Sequence, residues 1–114
     1  MTRRIAVLAT VAIIAASLQP VRAADVAAGQ AKAKICATCH GRAGISTAPL
    51  FPNLAGQKSA YLGAQLRMFR SGERKSEQMN IIAKALSDED IENLAAYFEG
   101  LHPGGSEQAS RALR

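Results

Sequence analysis

The sequence has few of the residues that build metal clusters, disulfide frameworks or aromatic nucleic-acid surfaces. It contains two cysteines, two histidines and no tryptophan, and only 4% of its 114 residues are aromatic. Two cysteines cannot form a scaffold of several disulfides. A closed structural zinc site takes four ligands, and here it would need both cysteines, His40 and the distant His102, which is a poor set. The absence of a basic stripe with interleaved aromatics argues against a nucleic-acid partner.

Long apolar runs are also absent. The longest, Ile5–Leu18, has about 14 residues, whereas a membrane-spanning helix needs about 20. Two arginines precede this run, and a proline and the small-residue site Val21–Ala23 follow it, which is typical of a secretory signal peptide. An uncleaved membrane anchor is the alternative. We predict a signal peptide over residues 1–23, export to the periplasm, and no stable membrane insertion after cleavage.

The charge of the chain depends on that processing. Removing the three arginines of the predicted signal peptide lowers the formal net charge from +5 to +2, so the remaining chain is only mildly basic. Basic residues concentrate between Lys58 and Lys75, and acidic residues between Asp88 and Glu99. Such an uneven distribution can orient a molecule as it approaches a charged partner.

The most informative segment is Cys36-Ala37-Thr38-Cys39-His40. Two thiols three positions apart, with an imidazole directly after the second, form the attachment signature of a c-type haem. Each thiol can form a thioether with one haem vinyl group, and His40 can then coordinate the iron. A redox-active dithiol is the alternative, but it would need a strand–helix–strand context that the sequence does not show. We predict one haem c per chain, attached through Cys36 and Cys39.

Hydrophobic spacing predicts an all-helical domain over residues 24–102, followed by a flexible polar tail, 103–114. The first helix should begin after Asp25, a good N-cap, and run into the haem motif. The second should cover Ser59–Arg70 and stop at Gly72. A domain this short has a limited core, so we expect folding to depend on the buried haem.

The remaining segments complete this domain. Ser87 can cap the last helix, with Asp90 completing a short capping box, and the Pro-Gly-Gly segment after His102 should end that helix. The sequence also predicts a long loop over Gly41–Gly56 that wraps one haem face, a polar stretch over Glu73–Asn80, and a short helix over Ile81–Ala85.

Three side chains could supply the second axial ligand of the iron: Met68, Met79 and His102. Met68 belongs to an amphipathic helix, where a methionine usually packs against neighbours. His102 adjoins the end of the last helix, where a histidine is usually exposed. Met79 stands in a polar segment with no apolar stripe to join, which favours it as the ligand. A methionine ligand raises the reduction potential of a haem, which suits a carrier on the oxidising side of a respiratory chain.

Together these features resemble the class I cytochromes c, most closely the single-haem repeat unit of bacterial periplasmic di-haem cytochromes and their mono-haem relatives. The resemblance runs from about Asp25 to Leu101. The residues that carry it are the haem motif with Gly41, Phe51–Gln57, Tyr61-Leu62, Gln65-Leu66, Phe69–Gly72, Met79, Leu86–Ile91 and Leu94–Phe98.

The resemblance implies the class I cytochrome c fold, with three main helices and connecting loops around one haem. It implies that the first and last helices cross where Gly29 meets Tyr97 or Phe98. The close relatives often carry two tandem haem domains, whereas this sequence shows one haem motif.

The resemblance also implies the site. His40 and Met79 would be the two iron ligands, and the Pro52 carbonyl would accept the Nδ1 proton of His40 and so fix its ring. The haem pocket would be lined by Leu54, Tyr61, Leu62 and Leu66.

The predicted function is that of a periplasmic one-electron carrier with no enzymatic activity. Its expected donor is a quinol-oxidising complex or a dehydrogenase, and its expected acceptor is a terminal oxidase or reductase. One alternative is the haem subunit of a periplasmic dehydrogenase complex. The other is a five-coordinate haem protein that binds a gas or acts as a peroxidase.

Overall fold

A computed structural model describes residues 22–104 of the chain, and within that range it is helical without strands. The helices are α1 (Val26–Lys32), α2 (Lys34–His40), α3 (Ser59–Ser71), α4 (Glu77–Lys84) and α5 (Asp88–Glu99). None of these helices has the length and apolar character that crossing a membrane would require. The predicted signal peptide and tail lie outside the described residues, apart from 22–23 and 103–104.

The predicted first helix is present but divided in two. Asp25 caps α1 as expected, because its carboxylate accepts a hydrogen bond from the Ala28 amide at 3.0 Å. The helix then breaks at Ala33, where ψ is only −11° and the backbone turns tightly before α2 begins. Alanine has a high helix propensity, so the residue type does not explain the break. Ala33 is buried in the core at 6% exposure, and the break therefore coincides with a tertiary packing contact.

Helices α1 and α5 cross at Gly29, as predicted. A Cβ atom at Gly29 would lie 2.1 Å from the Asn93 carbonyl oxygen and 3.0 Å from Tyr97 Cβ. Only a glycine therefore permits the approach. The sequence predicted either Tyr97 or Phe98 at this crossing. Tyr97 lies there, whereas Phe98 packs against Gly44 in the loop that follows α2.

Helix α4 begins earlier than the sequence suggested. Ser76 is its N-cap, with an extended backbone and a side-chain oxygen that accepts from the Met79 amide at 3.3 Å. The prediction of a polar non-helical stretch up to Asn80 is therefore wrong for its last part, and Met79 lies in the first turn of α4. The reason is the serine cap, whose hydroxyl satisfies an otherwise unpaired amide.

Helix α5 has both halves of the capping box predicted for it. The Ser87 hydroxyl accepts from the Asp90 amide, and the Asp90 carboxylate accepts from the Ser87 amide, both at 3.0 Å. The helix ends at Glu99 with Gly100 as its C-cap, which is earlier than the Pro-Gly-Gly segment predicted to end it.

The core is centred on α5, which packs against both α1 and α3. Ile91 and Leu94 are fully buried side chains at its centre, and the other buried members are Ala33, Leu62, Leu86, Ala95 and Phe98. The loop after α2 is held to α5 by a hydrogen bond from the Gly56 amide to the Phe98 carbonyl at 2.8 Å. This anchoring fixes the loop that forms one wall of the site.

Candidate haem site

A cavity of about 560 Å³ opens among α2, α3, α4 and the loop after α2. Its volume lies within the usual range for cofactor pockets. Every residue assigned to the site from the sequence lines this cavity: Cys36, Cys39, His40, Pro52, Leu54, Tyr61, Leu62, Leu66 and Met79. The structure therefore brings all nine together, although they span more than 40 positions of the chain.

The two cysteines project from α2 as free thiols. Burial, and secondarily the nearby Cys39, raises the pKa of the Cys36 thiol to about 11. A dithiol oxidoreductase needs a thiol that ionises near or below neutral pH, so this environment does not suit that alternative. Two free thiols three positions apart at a cavity wall instead match the chemistry of thioether attachment.

His40 ends α2 and is buried, at 7% exposure. Its Nδ1 lies 2.8 Å from the Pro52 carbonyl oxygen. A carbonyl can only accept, so Nδ1 carries the proton and Nε2 keeps its lone pair for a metal. The Phe51 ring packs edge-on to the imidazole, with ring centroids 6.2 Å apart. The ring is thus held in one tautomer and one orientation.

The loop that carries Pro52 is tied back to the haem motif. The Ser46 amide donates to Asn53 Oδ1 at 2.7 Å, and the Ser46 hydroxyl lies within hydrogen-bond distance of two carbonyls, those of Ala48 at 3.0 Å and Cys39 at 3.3 Å. Gly41, with φ of +82°, turns the chain out of α2. A side chain there would strike the Ile45 carbonyl. The loop whose Pro52 carbonyl accepts the hydrogen bond from His40 is therefore itself held in place by several hydrogen bonds.

The three candidates for the second axial ligand have different positions. Met79 lines the cavity from the first turn of α4. Met68 is not part of the cavity wall, and its sulfur lies 3.8 Å from Gln65 Nε2. His102 is exposed, also lies off the wall, and accepts from the Gly104 amide.

Several wall residues were not identified as site residues from the sequence. Those with large apolar side chains are Ile35, Leu50, Phe51, Phe69, Ile82, Leu86, Leu94 and Phe98. Helical spacing could have found two of them, because Phe69 continues the stripe of Leu62 and Leu66, and Ile82 follows Met79 by three positions.

Two basic side chains on the wall were also missed. Arg74 and Lys75 line the cavity, whereas no Asp or Glu among the described residues does. The Arg74 guanidinium donates to Gln65 Oε1 at 2.6 Å and lies 4.5 Å from the centroid of the Phe69 ring. It is thereby held against the wall of a cavity that contains no anionic side chain.

Comparisons with known proteins agree with this geometry. The family model described as Cytochrome c matches residues 26–102. Cytochrome c4 of Pseudomonas aeruginosa is 49% identical over 76 residues, which cover 67% of this chain and 38% of that protein. Cytochrome c-554(548) of Halomonas halodenitrificans is 44% identical over 79 residues, which cover 67% of this chain and 95% of that protein.

A similar fold occurs within a larger solved structure. A thiosulfate dehydrogenase from Marichromatium purpuratum superposes with a TM-score of 0.67 and 35% sequence identity, over 75% of this chain and 22% of that chain. The chain thus spans nearly all of one relative but well under half of the other two proteins.

Proposed function

The chain belongs to the cytochrome c family and carries one haem c, and from this premise we propose that it is a periplasmic carrier of single electrons. The observation that supports this function best is that His40 and Met79, on different helices, line one cavity. If His40 and Met79 both bind the iron, no open coordination position would remain for a substrate. The bound haem supplies a one-electron ferric–ferrous couple.

In this proposal Cys36 and Cys39 would hold the haem covalently from α2, and His40 would bind the iron through Nε2. The hydrogen bond from His40 Nδ1 to the Pro52 carbonyl keeps the ring in place and would increase its donation to the metal. Met79 would be the second protein ligand, from α4. Ligands on two elements that are held by hydrogen bonds would keep the structural change on electron transfer small.

The basic wall residues have a role as well. Haem brings two carboxylates, and a carboxylate taken partly out of water needs a cationic or hydrogen-bonding partner. Arg74 and Lys75 provide such partners at a wall without competing acidic side chains. We assign them to the carboxylate edge of the haem.

We propose redox proteins as partners. Leu50, at 89% exposure, and Tyr61 and Ile35, at about half exposure, are exposed residues that also belong to the cavity wall. A small apolar rim suits brief docking of a redox protein, since transient interfaces are small. The proposed donor is a quinol-oxidising complex or a dehydrogenase, and the acceptor is an oxidase or reductase.

A second candidate is a haem subunit of a periplasmic dehydrogenase complex. It is supported by the similarity to part of a thiosulfate dehydrogenase chain. Purification from the periplasm discriminates the two: a free carrier elutes as the isolated chain, and a subunit elutes with its dehydrogenase.

The ligand assignment is tested by near-infrared absorption of the oxidised holoprotein. Ferric haem with a thioether ligand has a weak charge-transfer band there. We expect this band in the natural protein, its complete loss in Met79→Leu, and its retention in Met68→Leu. Met68→Leu is the matched control, because Met68 is the same residue type, 11 positions earlier, and off the cavity wall.

The same samples test the five-coordinate alternative. The reduced natural protein should resist carbon monoxide, whereas reduced Met79→Leu should bind it readily, because an axial position has opened. Absence of the band from the natural protein, together with free carbon monoxide binding, would contradict the carrier function.

A further inference from the structure

The side chain of Asn80 joins three parts of the chain beside the proposed Met79 ligand. Its Nδ2 donates to the Phe69 carbonyl near the end of α3 at 2.7 Å and to the Arg74 carbonyl in the connecting turn at 2.8 Å. Its Oδ1 accepts from the Ser76 amide at 2.8 Å. Both donor hydrogens and the acceptor oxygen of the carboxamide are thus engaged.

These bonds close the turn between α3 and α4. Helix α3 ends at Ser71, and Gly72, with φ of +81°, is its C-cap. The last carbonyls of a helix have no partners within the helix and need partners from outside it. The Phe69 carbonyl accepts from the Gly72 amide and from Asn80, and the Met68 carbonyl accepts from the Arg74 amide. The side-chain carboxamide of Asn80 therefore ties the start of α4 to the end of α3.

Met79 lies inside this closed unit. Its amide donates to the Ser76 hydroxyl, and the next residue, Asn80, holds the Ser76 amide. The first turn of α4 is consequently fixed at its Ser76 cap and, through Asn80, to the Phe69 carbonyl on α3. Movement of the Met79 side chain away from the cavity by displacement of this turn would have to break the Asn80 bonds.

We propose that Asn80 is a positioning residue that keeps the Met79 sulfur at the haem iron by anchoring the first turn of α4 to the end of α3. This inference rests on the proposed ligation by Met79. Asn80 itself does not line the cavity, so its effect on the iron passes through Met79.

The test is competition by imidazole for the iron of the ferric holoprotein. Binding of imidazole requires Met79 to leave, so its apparent dissociation constant reports how firmly the methionine is held. Asn80→Ala removes all three side-chain bonds, and we expect imidazole to bind about tenfold more tightly or better. The thioether charge-transfer band should weaken in parallel.

A second variant guards against a failure of Asn80→Ala to fold. Asn80→Asp has nearly the same shape and keeps the acceptor for the Ser76 amide, but it turns a carboxylate toward two carbonyl oxygens. It should also bind imidazole more tightly and lose band intensity. Both changes act on the α3–α4 connection.

Ser87→Ala is the matched control, because it removes a helix-cap hydrogen bond from α5, which carries neither proposed ligand. It should lower the thermal midpoint without altering imidazole affinity. If the natural protein shows the band and both Asn80 variants bind imidazole as it does, the positioning role of Asn80 is wrong while Met79 ligation stands. If the natural protein lacks the band, Met79 ligation itself is wrong, and the role of Asn80 fails with it.

Discussion

At the scale of single residues, Arg74 shows how the site combines charge and packing. Its guanidinium is positioned by Gln65 and by the face of the Phe69 ring, both on α3. The ion pairs among the described residues involve Lys32, Arg67 and Arg70, and Arg74 is in none of them. Its charge is therefore available to a carboxylate of the cofactor.

We predict that Arg74→Gln lowers the reduction potential, because a nearby positive charge opposes the ferric state. The Coulomb energy of a unit charge at about 10 Å with an effective dielectric constant of 20–80 corresponds to roughly 20–70 mV. Potentiometric titration measures the shift. Arg74→Lys keeps the charge but loses the planar fork, so it should give a smaller decrease.

Lys84→Gln is the control for this prediction, because Lys84 ends α4 and lies off the cavity wall. Equal decreases in Arg74→Gln and Lys84→Gln would mean that only the overall surface charge matters. In that case Arg74 would have no specific relation to the haem.

A helix boundary can be predicted from the sequence where one residue has a local physical role. Asp25 and Ser87 are predictable as N-caps, because each precedes an apolar helical pattern and has a side-chain oxygen that can accept from the unpaired amides of the first helical turn. Gly72 was recognised as a helix end because it can adopt positive φ. The haem motif was recognised because covalent attachment constrains its spacing.

Elements fixed by long-range contacts were not predictable in the same way. The break at Ala33 has no local signal, since alanine is the best helix former. The early start of α4 depends on Ser76 and on the Asn80 bonds to α3, and a polar sequence does not reveal those bonds. Arg74 and Lys75 were missed as wall residues because no periodic pattern marks the turn that carries them.

The start of α5 predicts how stability depends on pH. The Asp88 carboxylate accepts from Arg70 at 2.5 Å, and this hydrogen bond and charge lower the pKa of Asp88. The capping hydrogen bond from Ser87 is the main cause of the lowered pKa of Asp90, with a contribution from Lys32. Both carboxylates therefore help to hold α5 to its neighbours when ionised.

We predict that this stabilisation is complete above about pH 4 and is lost as pH falls through the lower native pKa values. A lowered pKa means that the unfolded chain binds protons more readily than the native state, so acid favours unfolding. Thermal unfolding of the holoprotein between about pH 6 and pH 2 measures the effect. Asp88→Asn should flatten the acid limb of that curve, and an unchanged limb would show that Asp88 contributes nothing to it.

The described domain as a unit has a small core beside a large cavity. Among residues 22–104, the largest completely buried side chains are those of Ile91 and Leu94. Leu54, Leu66 and Cys36 are partly buried against the core and also form the cavity wall. The same side chains thus serve both the core and the cofactor, so haem binding and folding should be energetically linked.

We predict that the double variant Cys36→Ala, Cys39→Ala, which cannot attach haem covalently, loses most of its cooperative structure at 25 °C when it is prepared free of haem. A domain of this size has a total stability of about 5–15 kcal/mol, and leaving a cavity of about 560 Å³ without its apolar cofactor removes a large part of it. Far-ultraviolet circular dichroism should show reduced helix content and a broad thermal transition. Met79→Leu, which keeps the covalent haem, is the control and should retain a sharp transition. A sharp transition in the double variant would contradict the linkage and show that α1, α3 and α5 fold without the cofactor.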